Sequence, residues 1–150
     1  MRVAVSSDHA GFPIKEAVIE TVKELGYEVL DLGTNNKNRV DYPDFAEKAG
    51  QVIISGQAER GIVMCGSGIG VCITLNKMKG IYAGLCHDTY SAHQGVEHDD
   101  MNVLCLGGQI IGPELAKDIV RSFLKATPIN QGRYLVRINK FKAIEKDFFK

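Results

Sequence analysis

The chain has 150 residues, 45% hydrophobic and 24% charged, with 18 lysines and arginines balanced by 18 aspartates and glutamates. That length suits one domain burying roughly 70% of its unfolded surface, and the composition excludes a disordered tail or a disulfide-dependent miniprotein. Zero net charge removes the electrostatic footprint of nucleic-acid binding, and no apolar run approaches the roughly 20 residues that span a bilayer.

Arg2–Ser6 reads as a strand. Phe12, Ile14, Val18, Val22 and Leu25 then recur at helical spacing, and Gly26 stands where a helix would stop. Tyr27–Leu32 is a second strand; Pro43 suits a first helical turn, followed by the stripe Phe45, Ala46, Ala49, Val52 and Ile53. Gly61–Cys65 and Ile81–Cys86 are continuous apolar runs, as expected of strands buried on both faces. Asn102–Leu106 is the fifth strand, and Pro113 opens a helix through about Leu124. Five strands separated by helices force parallel crossovers, hence an α/β, three-layer, doubly wound, five-stranded parallel sheet of Rossmann-like type. The simplest strand order is 2-1-3-4-5. With no linker, repeat or low-complexity segment, residues 1–150 are expected to form one domain.

From Gln131 to Lys150, Leu135, Ile138, Phe141, Ile144 and Phe148 keep near-helical spacing on a charged background. No strand follows for this helix to cross back to, so its apolar face calls for a surface, either on its own domain or on another subunit. Met1–Val5 opens directly on a strand pattern without a signal-like leader, and the four cysteines lie in apolar stretches with no Cys-x-x-Cys. Together these features predict a reduced, cytoplasmic protein.

Ligands of open parallel sheets bind beyond the carboxyl ends of the strands. The first strand ends in Ser6-Ser7-Asp8-His9-Ala10-Gly11, where Asp8 and His9 are aimed at a polar ligand or Asp8 caps the next helix. The third ends in Cys65-Gly66-Ser67-Gly68-Ile69-Gly70, whose alternate glycines let backbone N–H groups approach an anionic oxygen. A dinucleotide fingerprint would need glycine at Val71 and would follow the first strand. Cys65 stands beside a helix start, a position that favours a thiolate nucleophile or base. Cys72, Cys86 and Cys105 read as inert core thiols.

Glu97-His98-Asp99-Asp100, just before the fifth strand, reads as a polar turn. It lies at the sheet edge opposite Asp8 and Cys65, so His98 joins their chemistry only from a neighbouring subunit. Arg133 and Arg137, four apart, share a helix face and suit a phosphate clamp or simple solvation. His87 and His93 receive no role, because neither combines with other ligands at a recognisable metal spacing.

Asp8-His9-Ala10-Gly11, Asp41-Tyr42-Pro43, Cys65-Gly66-Ser67-Gly68-Ile69-Gly70, Asn76-Lys77, His98 followed by Asn102-Val103, and Gly132-Arg133-x3-Arg137 together resemble the ribose-5-phosphate isomerase B family. That group also contains the galactose-6-phosphate isomerase subunits. The resemblance runs in order over essentially the whole chain. It implies interconversion of D-ribose 5-phosphate and D-ribulose 5-phosphate, without metal or cofactor, in a homodimer or a tetramer built from it whose sites straddle the interface. By position, Cys65 resembles the base that moves a proton between C2 and C1. Some relatives carry a glutamate for this at the position of Val71. Backbone amides from Gly66 through Gly68 and Ile69 to Gly70 resemble the cradle for enediolate oxygens, and the Ser67 hydroxyl relays protons between O1 and O2. Asp8 and His98 resemble the ring-opening pair, His9, Arg133 and Arg137 the phosphate site, and Tyr42 a wall of the sugar pocket. Asp99, at a sugar-contacting position, replaces a common asparagine, Gln109 replaces an arginine, and Tyr134 stands where histidine is frequent. These departures keep a six-carbon sugar phosphate as an alternative substrate. A non-catalytic nucleotide- or sugar-phosphate-binding module is the alternative from another class.

Overall fold

In the computed structural model, which describes residues 1–149, the strands with the longest apolar runs take the middle of the sheet. β1 (Arg2–Ser7), β3 (Arg60–Cys65) and β5 (Val103–Gly107) are buried along nearly their whole length, whereas β2 (Glu28–Asp31) and β4 (Ala83–Leu85) are short and half-exposed. Every pairing is parallel and the order is β2-β1-β3-β5-β4.

The expected order 2-1-3-4-5 is therefore corrected: the last two strands exchange places. Val103, Leu104, Cys105 and Leu106 are all inaccessible to solvent, so β5 can only be an inner strand covered on both faces. The run Ile81–Cys86 contributes only Ala-Gly-Leu to the sheet, and Leu85 is 39% exposed. Such a segment belongs at an edge.

Six helices, α1 (Phe12–Glu24), α2 (Tyr42–Ile54), α3 (Ile69–Leu75), α4 (Thr89–Asp99), α5 (Pro113–Lys125) and α6 (Gly132–Phe148), complete the described chain. α5 packs against α1 and α4 on one face of the sheet, and α2 packs against α3 on the other. Right-handed crossovers require this division. The β1→β2 and β4→β5 steps run one way along the sheet, and β2→β3 and β3→β4 run the other. Even-numbered β5 residues Leu104 and Leu106 join the core under α1, α4 and α5, while Val103 and Cys105 join the one under α2 and α3. Because α1 and α3 leave β1 and β3 toward opposite faces, the carboxyl ends of these adjacent strands part and open a crevice.

Two polar devices tie the periphery down. The Arg60 guanidinium donates to the carbonyls of Phe123 (2.8 Å), Leu124 (3.4 Å) and Ala126 (2.8 Å), satisfying the end of α5. The Asn76 side chain accepts from Ala83 N–H and donates to Ala83 C=O, both at 2.9 Å, along the open side of β4.

α6 lies on its own chain with one face. Ile138 is buried, Phe141 meets Tyr82 edge-on at 5.3 Å, Glu145 accepts from Tyr82 Oη and Gly80 N–H, and Lys142 pairs with Asp100 at 2.9 Å. Val136, Ile144 and Phe148 remain exposed. Among the described residues no helix is long and apolar enough to cross a membrane.

Candidate active site

The crevice between β1 and β3 gathers the first set of candidate residues. Asp8 is buried, and its Oδ1 accepts from the N–H groups of Ala10 and Gly11, both at 2.9 Å. The carboxylate thus secures the turn between β1 and α1; the N-cap of α1 is Gly11 and carries no side-chain cap, so the expected capping by Asp8 is corrected to a bond within the preceding turn. His9 Nδ1 accepts from Val40 N–H at 3.2 Å, which leaves Nε2 to carry the ring's proton as a donor. Tyr42 opens α2 with its ring laid on Gly70; a Cβ there would sit 2.6 Å from the ring. Only glycine lets the tyrosine close over this loop.

At the end of β3, Cys65 is 4% exposed and its Sγ accepts from Gly68 N–H at 3.2 Å. That bond depends on Gly68 adopting φ +80°, a left-handed conformation that costs other residues energy. Ile69 N–H is held by Ser67 Oγ at 3.2 Å. The N–H groups of Gly66, Ser67 and Gly70 meet no acceptor among the described residues. They are free donors beside a sulfur, in a loop entering a helix. β5 braces the loop from the other side. Gly108 N–H donates to Cys65 C=O (2.9 Å) and Gln109 N–H to Gly66 C=O (3.0 Å), and the Gln109 side chain lies over Gly66.

A second cluster forms elsewhere. Glu97, His98 and Asp99 make the last turn of α4, with Asp100 in the left-handed region at φ 57°; the polar turn expected there is corrected to a helix end. The His98 ring stacks on Tyr134 at 4.4 Å and 22°, and its Nδ1 lies 2.8 Å from Gln94 Nε2. Arg133 reaches over the Tyr134 ring at 4.7 Å and donates to its hydroxyl at 2.8 Å. Asp99 and Arg137 are exposed nearby in sequence on α4 and α6.

α4 is N-capped by Asp88, beyond the carboxyl end of β4, and the rise from there to His98 carries the imidazole about 15 Å back toward the opposite edge. One chain thus brings together Asp8, His9, Tyr42, Cys65, Ser67 and the Gly66–Gly70 backbone. It gathers His98, Tyr134 and Arg133 separately, with Asp99 next to His98 and Arg137 one turn beyond Arg133 in the chain, and no hydrogen bond or ring contact among the described residues joins the two sets.

Known proteins share this fold over the whole chain. The family model described as Ribose/Galactose Isomerase matches residues 3–141. The chain belongs to that family. It is 39% identical over 145 residues to ribose-5-phosphate isomerase B of Escherichia coli, covering 97% of each chain. It is 38% identical over 128 residues to D-erythrulose-4-phosphate isomerase of Pectobacterium atrosepticum, covering 84% of each. The solved structure of Clostridium thermocellum ribose-5-phosphate isomerase B superposes with a TM-score of 0.94 at 42% identity over 99% of both chains.

Within this family member, His87 and Gln94 take places that the sequence reading left unassigned, and Cys72 departs from its reading as a core thiol. His87, just past β4, accepts Gly107 N–H at Nε2 (2.9 Å), and burial pushes its pKa below the ordinary 6.5. Its position at a strand's carboxyl end was the available signal. Cys72 is half-buried rather than an inert core thiol. The Cys105 thiol bonds to it and, with help from the Leu85 backbone and Asn76, outweighs burial and pulls its pKa down to about 7. Cys86 and Cys105 are buried, as a core thiol would be, and burial pushes Cys86 up to about 11 and Cys105 well above its usual range. Gln94, four residues before His98, was visible only as a helical spacing. Among the described residues no three His, Cys, Asp or Glu side chains cluster as metal ligands would.

Proposed function

We propose that residues 1–150 form one aldose–ketose isomerase domain interconverting D-ribose 5-phosphate and D-ribulose 5-phosphate. The observation that carries this reading is the end of β3, where the Cys65 sulfur and the unpaired N–H groups of Gly66, Ser67 and Gly70 share one crevice. Isomerisation requires a base beside a carbonyl and preorganised donors for the oxyanion that forms. Cys65 takes the proton from C2 of the open aldose and returns it to C1. The free amides receive the enediolate oxygens, and Ser67 moves the proton between O1 and O2. His9, with its Nε2 proton directed by the Val40 bond, and the Arg133/Arg137 pair hold the phosphate, which orients the reacting carbons from a distance. Tyr42 walls the sugar, and Asp99 contacts its hydroxyls.

Ring opening needs Asp8 and His98 together, and a single chain keeps them apart. The proposed enzyme is therefore a homodimer in which His98, Asp99, Arg133 and Arg137 of one copy complete the crevice of the other, with the exposed apolar side chains of α6 available for that contact. A metabolic enzyme of this kind works in the cytoplasm. Relatives named for four- and five-carbon substrates and the residues Asp99 and Gln109 make sugar length the open variable within this chemistry.

Cys65→Ala tests the base. Turnover of ribose 5-phosphate falls by roughly a hundred- to ten-thousand-fold; near-wild-type turnover removes Cys65 from the mechanism. Mixing inactive Cys65→Ala and His98→Asn proteins tests the shared site. Free exchange restores about a quarter of the sites, and no rescue after proven exchange places both residues in one chain.

A further inference from the structure

α4 contains two histidines, each with a partner four residues away, and the partners are chemically opposite. His93 Nδ1 meets Glu97 Oε1 at 2.5 Å, while His98 Nδ1 meets Gln94 Nε2 at 2.8 Å. A carboxylate only accepts, so the first contact requires the proton on His93 Nδ1. An amide nitrogen only donates, so the second requires a lone pair on His98 Nδ1. We propose that Gln94 is a positioning residue for His98, fixing it as the neutral tautomer that presents Nε2–H to the substrate.

Further contacts restrict the same ring. Tyr134 stacks on it at 4.4 Å with a 22° interplanar angle and is itself held by Arg133 Nη2 at 2.8 Å. The ring plane is thereby set from α6 and the rotation about that plane from α4. His98 Nε2 has no hydrogen-bond partner among the described residues. The polar end of the imidazole that remains available is a donor and not an acceptor.

This deepens the proposed isomerase and rests on it, because it divides the ring-opening pair. When the C1–O4 bond of the furanose breaks, its electron pair goes to O4. A fixed N–H stabilises charge building there, as preorganised donors do at oxyanions. His98 held this way cannot serve as a base through Nε2. The Asp8 carboxylate therefore receives the O1 proton as C1=O1 forms and passes it to solvent, while O4, held by the Nε2–H, takes up a proton from water, so that the open-chain aldose carries a neutral 4-hydroxyl. Tautomer control by a neighbouring side chain is the usual way one imidazole nitrogen is given its role.

The test uses the full-length protein with Gln94→Met, which removes the donor at similar length, and Gln94→Glu, which copies the Glu97 arrangement. Imidazole nitrogen shifts are read by two-bond ¹⁵N–¹H correlation, above the ordinary imidazole pKa of about 6.5, with His98 assigned by its loss in His98→Asn. Wild type shows protonated Nε2 and lone-pair Nδ1 at His98, and Gln94→Glu moves the proton to Nδ1. In parallel, conversion of ribose 5-phosphate is compared with solvent exchange of the C1 proton of ribulose 5-phosphate, an open-chain sugar that needs no ring opening. Both variants lose roughly tenfold or more in conversion while exchange stays within about twofold. Protonated Nδ1 in wild type, or an unchanged ratio of conversion to exchange in both variants, overturns the proposal. A wild-type protein with neither conversion nor exchange instead overturns the isomerase reading beneath it.

Discussion

Gly68→Ala probes the point where fold and chemistry meet. Gly68 has φ +80°, and a Cβ there would lie 2.9 Å from the Leu106 carbonyl carbon and 3.1 Å from its oxygen, on the backbone of β5. It would also meet Leu85 Cδ1 at 2.5 Å, but that side chain can rotate away. The left-handed conformation costs alanine about 1–2 kcal/mol, and forcing β5 backbone aside adds about 1–3 kcal/mol. The sum, about 2–5 kcal/mol, lowers the melting temperature of a chain this size by about 5–20 °C. Gly80→Ala is the control: φ is +90° but nothing lies within 4 Å, so only the conformational cost of about 1–2 kcal/mol applies. Because Gly68 N–H also holds Cys65 Sγ, the same shift misplaces the sulfur, and displacement by about 1 Å costs about a hundredfold in kcat. Thermal unfolding by circular dichroism and turnover of ribose 5-phosphate read both effects. If Gly68→Ala melts no lower than Gly80→Ala and keeps its kcat, the close packing of this loop against β5 has no energetic weight and the reasoning fails.

Iodoacetamide near neutral pH alkylates Cys72 well ahead of Cys86 and Cys105, since Cys72 sits at about 7 and Cys86 at about 11; peptide mass spectrometry at equal rates for all three contradicts this. Arg60→Met strips three carbonyl partners from the end of α5 and costs about 2–3 kcal/mol in urea unfolding; a loss under about 0.5 kcal/mol would mean water replaces the guanidinium freely. Because burial depresses His87, its folded form resists protonation, so the stability it contributes is full above 6.5 and is lost as pH falls below that value. Urea midpoints measured from neutral to mildly acidic pH accordingly fall less steeply for His87→Gln than for wild type, and parallel slopes would count against the buried neutral imidazole.

The parallel sheet was legible because Val3–Val5, Gly61–Cys65 and Val103–Leu106 are unbroken apolar runs, and an apolar run bounded by helices has few other uses. Strand order was not, since which of two such runs becomes the edge depends on what covers its second face, a long-range fact. The crevice could be placed because Asp8 and the Cys65 loop directly follow strands. The distance of His98 from it followed from the same rule, although the local shape, a helix end rather than a turn, did not. Cys72 and Cys105 look alike in sequence. They differ because α3 is half-open to solvent while β5 is not, and because the proton of one serves the sulfur of the other. The Gln94–His98 pair was within reach of the i, i+4 rule; its meaning emerged only beside His93 and Glu97.

The two margins of the sheet are defended by different means. β2 ends the sheet with Glu28 and Asp31, paired with Arg2 and Lys15 so that charged side chains flank this edge, and β4 offers only three residues, with the N–H and C=O of Ala83 already engaged by Asn76. An unguarded parallel edge is a template on which further chains can polymerise. Asn76, the residue that ends α3, closes that template with its side chain, so the backbone of this margin is not open to strand-by-strand growth.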